Sequence, residues 1–126
     1  MKTYLVAALV GLASIFAPIR DVLTVTLVLI TADLLTGMYA AHKRGESIQS
    51  SAIRRTVSKV LIYEIAIAIA FLAQHYLMDD VLPAAKLIAS MVGMVELKSV
   101  LENLNSISGT DLLKAVIDKL GSQNKS

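Results

Sequence analysis

The chain has 126 residues, a length typical of one domain, and its net charge of +2 is small. Apolar residues make up 56% of it and the mean hydropathy is +0.67, against an apolar share of about 45–50% in ordinary soluble domains, which indicates a membrane protein. The absence of cysteine excludes a disulfide scaffold, a thiol nucleophile and a thiolate metal site.

Four apolar segments follow one another along the chain. They run from about Tyr4 to Ile19, from Val22 to Ala41, from Val57 to Met78 and from Val81 to about Leu101. A membrane-spanning helix needs about 20 apolar residues, and about 17 is the lower limit. We therefore predict an all-α integral membrane bundle over residues 1–109 with four transmembrane helices. Three is the alternative, because the first segment is short and charged residues interrupt the fourth.

The first segment also has features of a secretory signal peptide. Lys2 gives a short basic start, and an apolar stretch follows it. However, a small-residue cleavage site is poorly defined, and Pro18 directly follows Ala17. We therefore expect the segment to be retained as a membrane span.

Basic residues are concentrated between the second and third segments, in a loop that we bound at residues 42–59. This loop contains His42, Lys43, Arg44, Arg54, Arg55 and Lys59. The positive-inside rule places it in the cytoplasm, where it is expected to contact lipid headgroups rather than nucleic acid. Lys2 and the C-terminal lysines place both termini on the same side, whereas Asp79 and Asp80 fall on the other. An even number of crossings satisfies these placements and favours four helices.

The connections between segments suggest how the helices begin and end. The short stretch Pro18 to Asp21 predicts a tight helical hairpin between the first two segments. Gly45 is placed to end the second helix, and Ser50 or Ser51 to cap a short helix that leads into the third segment. Pro83 is expected in the first turn of the fourth helix, where its missing N–H does no harm.

The C-terminal stretch has an amphipathic pattern. We predict a cytoplasmic helix over residues 110–121 that lies on the membrane surface or against neighbouring subunits, capped by Ser108 or Thr110 and stopped by Gly121. Residues 122–126 are predicted to be a disordered polar tail. The apolar positions of the helix are Leu112, Leu113, Val116, Ile117 and Leu120.

Three carboxylates interrupt the apolar segments: Asp33, Glu64 and Glu96. A charged side chain at the bilayer centre costs about 2.5–3.5 kcal/mol or more, so such residues indicate a functional site. Counted along the predicted helices at 1.5 Å per residue, all three lie at similar depth in the inner half of the membrane, within reach of Lys59 and Lys98. We predict a polar seam of Asp33, Glu64, Glu96 and Lys59. Buried ion pairs, a water-filled lumen and carboxylates protonated in lipid remain open as interpretations.

No other pattern indicates chemistry. His42 and His75 have no partner at metal-ligand spacing, and no nucleophile–base pair or phosphate-binding glycine loop is visible. We predict a protein without catalytic activity, metal or cofactor. Ala7 with Gly11 and Ala66 with Ala70 are spaced for close helix packing, which is compatible with a homo-oligomer.

Two blocks of residues resemble a known family. The first is the run Asp33-Leu34-Leu35-Thr36-Gly37, followed by Ala40-Ala41, Lys43, Gly45, Ser50-Ser51, Arg54-Arg55 and Lys59; the second is Glu96, Ser99 and Leu101-Glu102-Asn103. In order and spacing they resemble the phage-lysis and toxin-secretion holins, which include clostridial toxin-release holins. The similarity covers roughly residues 30 to 109.

The resemblance implies a small protein of the bacterial (host cell) inner membrane that accumulates, oligomerises and opens lesions. The cargo released would be an endolysin or a toxin. Family-motif residues carried over to this chain are Asp33, Thr36, Gly37, Ser50, Ser51, Arg54, Lys59, Glu96, Ser99, Glu102 and Asn103. A small cation channel or transporter subunit, in which the carboxylates bind cations, and a structural membrane scaffold are the alternative functions.

Overall fold

The structure, a computed structural model, describes residues 1–124, and this part of the chain is helical without any strand. Five α-helices and one short 3-10 turn follow one another in the described residues. Their bounds are α1 Lys2–Phe16, the 3-10 turn Ala17–Ile19, α2 Arg20–Lys43, α3 Ser50–Leu77, α4 Ala84–Ser108 and α5 Leu112–Gln123. The predicted all-α class is confirmed.

Two helical stretches in residues 1–124 are long and apolar enough to cross a membrane. One is the 42-residue stretch Lys2–Lys43, which joins α1 and α2 through the 3-10 turn, and the other is the 28-residue α3. The 25-residue helix α4 is long enough but less apolar, because four charged residues interrupt it, namely Lys86, Glu96, Lys98 and Glu102. At 1.5 Å per residue α4 is nevertheless about 37 Å long, which exceeds the hydrocarbon thickness of about 30 Å.

Helices α2, α3 and α4 pack into a three-helix unit in which α4 contacts both of the others. We call its two ends the turn end, where α3 connects to α4, and the loop end, where α2 connects to α3. A buried cluster lies towards the turn end, with Ile19, Ile67, Phe71, Ala85 and Ala89 as members. The two alanines allow close approach of α4, and in lipid such close packing, rather than the hydrophobic effect, holds helices together.

Helix α1 does not form the predicted hairpin with α2. Ala17 and Arg20 have right-handed helical backbone angles, whereas Phe16 and Ile19 depart from them, and α1 does not pack along α2. No residue of α1 is buried. Its last residue, Phe16, approaches the unit, with a distance of 6.3 Å between the ring centroids of Phe16 and Phe71. The hairpin prediction is therefore wrong, because α1 does not pack along α2.

The end of α2 is formed as predicted, by Gly45. Its φ is +77°, a left-handed conformation that glycine adopts without strain. The Gly45 amide donates to the His42 carbonyl at 3.0 Å, and the Glu46 amide donates to the Ala41 carbonyl at 3.0 Å. This pair of bonds is a Schellman motif, which satisfies two of the carbonyls left free at the helix end.

The start of α3 differs from the prediction. Ser50 is the first residue of α3, Gln49 occupies the N-cap position, and no side chain caps the helix. The Ser51 hydroxyl instead donates to the Gln49 side chain at 3.2 Å. The predicted separate short helix is absent, because α3 continues unbroken from Ser50 into the apolar segment. Pro83 occupies the N-cap of α4, directly before its first turn.

Helix α5 is capped by a residue that the sequence analysis did not select. Asp111 is the N-cap, and its carboxylate accepts a hydrogen bond from the Lys114 amide at 3.0 Å. The predicted caps were therefore wrong: Asp111 lies immediately before α5 and reaches the amide three residues on. Gly121 does not stop the helix, which includes Ser122 and Gln123 of the predicted tail. The last two residues of that tail lie outside the described residues.

Candidate membrane-embedded polar site

One residue from each helix of the three-helix unit meets in an ion-pair network. The ammonium group of Lys59 on α3 lies 2.8 Å from Asp33 Oδ2 on α2. The same nitrogen lies 2.8 Å from Glu96 Oε2 and 3.1 Å from Glu96 Oε1 on α4. Lys59 therefore joins α2, α3 and α4 through two carboxylates. We call Asp33, Lys59 and Glu96 the central network.

The second oxygen of Asp33 is satisfied by α4. The Ser99 hydroxyl donates to Asp33 Oδ1 at 2.6 Å, and the Asn103 amide donates to the same oxygen at 3.0 Å. The amide of Asn103 also lies 3.1 Å from the Thr36 hydroxyl. A Cβ at position 37 would lie 3.4 Å from Asn103 Nδ2, at the near limit of ordinary van der Waals contact. At Gly37 α2 therefore approaches the amide that fixes Asp33 closely.

The central network is largely removed from solvent. The side chain of Glu96 is 1% exposed, that of Asp33 is 15% exposed and that of Lys59 is 29% exposed. Among the described residues, no buried side-chain nitrogen or oxygen lacks a hydrogen-bond partner. A buried charge needs both a counter-ion and hydrogen bonds to offset its desolvation, and the network supplies both to Asp33. It contains two carboxylates and one ammonium group.

The structure places Glu64 apart from the central network. Its carboxylate accepts a hydrogen bond from the hydroxyl of Thr26 on α2 at 2.7 Å. Thr26 precedes Asp33 by seven residues, which is about 10 Å along a helix, so Glu64 lies nearer to the turn end. Lys98 is also outside the network and pairs with Glu102 at 3.4 Å, where both side chains are exposed.

Sequence reasoning from charge alone missed the polar partners of Asp33 and Glu64. Ser99 and Asn103 were predicted as site residues only through the family resemblance, and Thr26 was not predicted at all. Their spacing carried a usable signal, since Glu96, Ser99 and Asn103 recur at i, i+3 and i+7 and therefore share one face of a helix. Thr26 and Asp33 are likewise seven residues apart.

The remaining family-motif residues lie around a cleft at the loop end. Ser50 begins α3, while Ser51 and Arg54 line the cleft. Asp33, Gly37, Lys59, Ser99 and Asn103 form part of the same lining, so two members of the central network face the cleft, whereas Glu96 is not part of its wall. The cleft has a volume of about 1230 Å³. Glu102 is the motif residue that pairs with Lys98 on the surface.

Polar contacts also hold the loop end together. Arg44 donates to both carboxylate oxygens of Glu46, at 2.8 and 3.1 Å, and to the Ser106 hydroxyl on α4 at 3.0 Å. The hydrogen bond from Arg44 lowers the pKa of Glu46 below its ordinary value. The ammonium group of Lys43 donates to the backbone carbonyl of Ile107. The C-terminal ends of α2 and α4 are therefore neighbours.

Comparison with known proteins identifies one family. The model of the bacteriophage holin family matches residues 10–122, which include the central network, its hydrogen-bond partners and the cleft. No curated protein and no solved structure matches the chain. Since the matched segment covers most of the chain, the protein belongs to the bacteriophage holin family.

Proposed function

We propose that this protein is an oligomeric holin that permeabilises the bacterial inner membrane and so releases an endolysin or a toxin. The observation that carries the proposal is the family match over residues 10–122. Holins are membrane pore-forming proteins and generally not enzymes. The apolar stretch Lys2–Lys43 and helix α3 support the membrane location.

In the proposed topology the loop end faces the cytoplasm and α2, α3 and α4 each cross the bilayer, which is the three-crossing alternative, because α1 does not form a hairpin with α2. The basic residues of the loop favour this orientation, and the contact of α2 with α4 at that end brings the C-terminal part to the same side. Three crossings then place the C-terminus in the cytoplasm and the N-terminus on the opposite side. Because Glu96 is neutralised by Lys59 inside the unit, α4 can enter lipid without presenting this charge to it.

Self-association is proposed to occur through surfaces that the single chain leaves uncovered. Helix α1 buries no residue, and Gly11 has no atom near the position of a Cβ. On α2 and α3, apolar side chains such as Val25, Val28 and Ile69 are at least half exposed. In lipid these faces are tolerated, but small residues allow helices of neighbouring copies to pack closely. Accumulation of copies would therefore favour assembly.

The central network has a proposed role in both states of the protein. In the inserted subunit its three side chains pair with one another, so three helices that contain charged residues can lie in lipid without exposing the charges to it. We propose that in the lesion the same side chains line the water-filled opening. A triple variant, Asp33→Leu with Lys59→Met and Glu96→Leu, removes all three charges together and leaves no unpaired member of the network. It should insert and accumulate but release no cargo.

The matched control for the triple variant is Arg20→Met with Asp21→Leu, which removes an exposed ion pair at the start of α2 that is not part of the family motif. Equal membrane amounts of both proteins are confirmed by immunoblotting. The control should release cargo as the original chain does. Release by the triple variant at the same rate would show that the central network is not part of the lesion wall.

Inducible expression in bacteria tests the proposed function as a whole. A holin stops growth abruptly and lyses the cells when a cytoplasmic endolysin is present, whereas without endolysin the cells die but do not lyse. A graded, ion-selective current without enzyme release would instead indicate a channel or transporter subunit. Growth and membrane permeability that stay normal at full expression would indicate a scaffold.

A further inference from the structure

The cleft at the loop end carries an excess of positive charge. Four basic side chains line it, namely Arg44, Arg54, Arg55 and Lys59, against the two carboxylates of Asp33 and Glu46. Arg44 is paired with Glu46, and Lys59 is shared by Asp33 and by Glu96, which is not part of the lining. Each acidic group of the lining thus already has a cationic partner, and an anion that enters the cleft meets the two remaining arginines.

Arg54 and Arg55 have no counter-ion of their own. Within residues 1–124 neither forms an ion pair or a side-chain hydrogen bond, although both line the cleft. A guanidinium group offers several N–H donors in a plane and binds phosphate through paired hydrogen bonds. The two side chains are therefore available to a phosphate group from outside the chain.

The arginines lie at the depth of lipid headgroups. Helix α3 has 28 residues, so it is about 42 Å long and exceeds the hydrocarbon core of about 30 Å by about 12 Å, or eight residues. Arg54 and Arg55 occupy its fifth and sixth positions, immediately before the apolar segment that begins at Val57. They therefore stand at the boundary between headgroups and hydrocarbon.

The cleft also has an apolar wall. Leu34, Met38 and Ala41 of α2 line it opposite the arginines of α3, and Ala52 adds a further apolar surface. A free phosphate ion would gain nothing from contact with this apolar wall. A phospholipid would, because the start of its acyl chains can lie along the apolar side chains while its phosphate contacts the guanidinium groups.

From this combination we infer that the cleft between α2 and α3 binds one anionic phospholipid, with its phosphate on Arg54 and Arg55 and its glycerol region against Leu34 and Met38. Basic pockets between membrane helices on the cytoplasmic side are suited to such headgroups. The inference requires insertion of the chain in a membrane but not lesion formation, so it stands or falls separately from the proposed function.

Native mass spectrometry of the full chain in a neutral detergent tests this inference. Phosphatidylglycerol is titrated in, and bound copies are counted per protein. The double variant Arg54→Gln with Arg55→Gln removes the two guanidinium groups at exposed positions. Its matched control is Lys114→Gln with Lys119→Gln, which removes the same charge from exposed positions of α5. Far-UV circular dichroism verifies that both variants keep their helix content.

We expect the original chain and the control to bind the first lipid with the same midpoint. In the arginine variant the midpoint should rise at least about tenfold, as expected for the loss of hydrogen bonds to charged groups. An equal midpoint in both variants would overturn the site. Inorganic phosphate and glycerol phosphate at millimolar concentration form the second arm. If either displaces the lipid fully, the site recognises free phosphate and the lipid assignment is wrong.

Discussion

Removal of the Lys59 ammonium group is the sharpest test of the central network. In Lys59→Met the side chain stays unbranched, is only one atom shorter and loses its charge, so the helices can still pack. Both oxygens of Glu96 then lose their partner at the interior of the unit, where this side chain is 1% exposed. Asp33 keeps its bonds from Ser99 and Asn103. The main penalty therefore comes from Glu96.

The expected loss follows from the kind of interaction that is broken. Removing one partner of a buried ion pair typically costs about 3–5 kcal/mol, since a charge is left uncompensated. The control Lys98→Met breaks an exposed pair of α4 with Glu102, which should cost at most about 0.5 kcal/mol. Adding Glu96→Gln to Lys59→Met removes the stranded charge and should recover about 2 kcal/mol of the loss.

Unfolding of the purified chain in mixed micelles measures these differences. The fraction of sodium dodecyl sulfate is raised while far-UV circular dichroism follows the helix content, and each variant gives a free energy of unfolding. The network is refuted as a stabilising element if Lys59→Met and Lys98→Met shift the midpoint equally. It is also refuted if Glu96→Gln adds to the loss instead of reversing it.

Three further predictions concern single contacts. Gly37→Val places methyl groups against the Asn103 amide and should destabilise the unit by about 1–3 kcal/mol in the same unfolding assay, whereas no such loss would mean that the amide is free to move. Thr26→Val removes the donor to Glu64 and should cost about 1 kcal/mol, and an unchanged midpoint would exclude this hydrogen bond. Hydrogen bonds from two side chains of α3 lower the pKa of Asp80 at the turn end. The ionised carboxylate therefore stabilises the turn at any pH above the ordinary aspartate pKa of about 3.9, and this stabilisation is lost as the pH falls through the lowered pKa. The protection factors of the turn amides, obtained from hydrogen exchange after correction for the intrinsic pH dependence of the exchange rate, should therefore fall as the pH is lowered from 6 to below about 3.9, and Asp80→Asn should abolish that fall.

The helical class and part of the network could be predicted from the sequence. Long apolar runs leave few alternatives to helices in a membrane, because lipid cannot satisfy free backbone groups. The same argument singled out Asp33 and Glu96 as groups that need protein around them, and Lys59 as a neighbouring cation. Gly45 was predictable as a helix end, since its position follows the basic end of an apolar run and glycine alone adopts its conformation freely.

Other features depend on geometry that the sequence does not display. Counting residues from segment ends placed Glu64 level with Asp33, but the start of α3 at Ser50 and the relative shift of the helices bring Glu64 to Thr26 instead. The path of α1 depends on backbone angles at the Ala17–Ile19 turn, and a proline in a short connection does not by itself reverse a chain. Three neighbouring residues could have capped α5, and the structure shows that Asp111 does so rather than the predicted Ser108 or Thr110.

Release of large cargo from lipid vesicles tests the central claim most directly. The full chain is reconstituted at increasing density into vesicles of bacterial lipids that contain a small dye and a folded enzyme of endolysin size. A lesion-forming holin should release both solutes together above a threshold density, and the triple variant of the central network should release neither. Release of the dye alone at every density would contradict the account and indicate a channel, and retention of both solutes would indicate a scaffold.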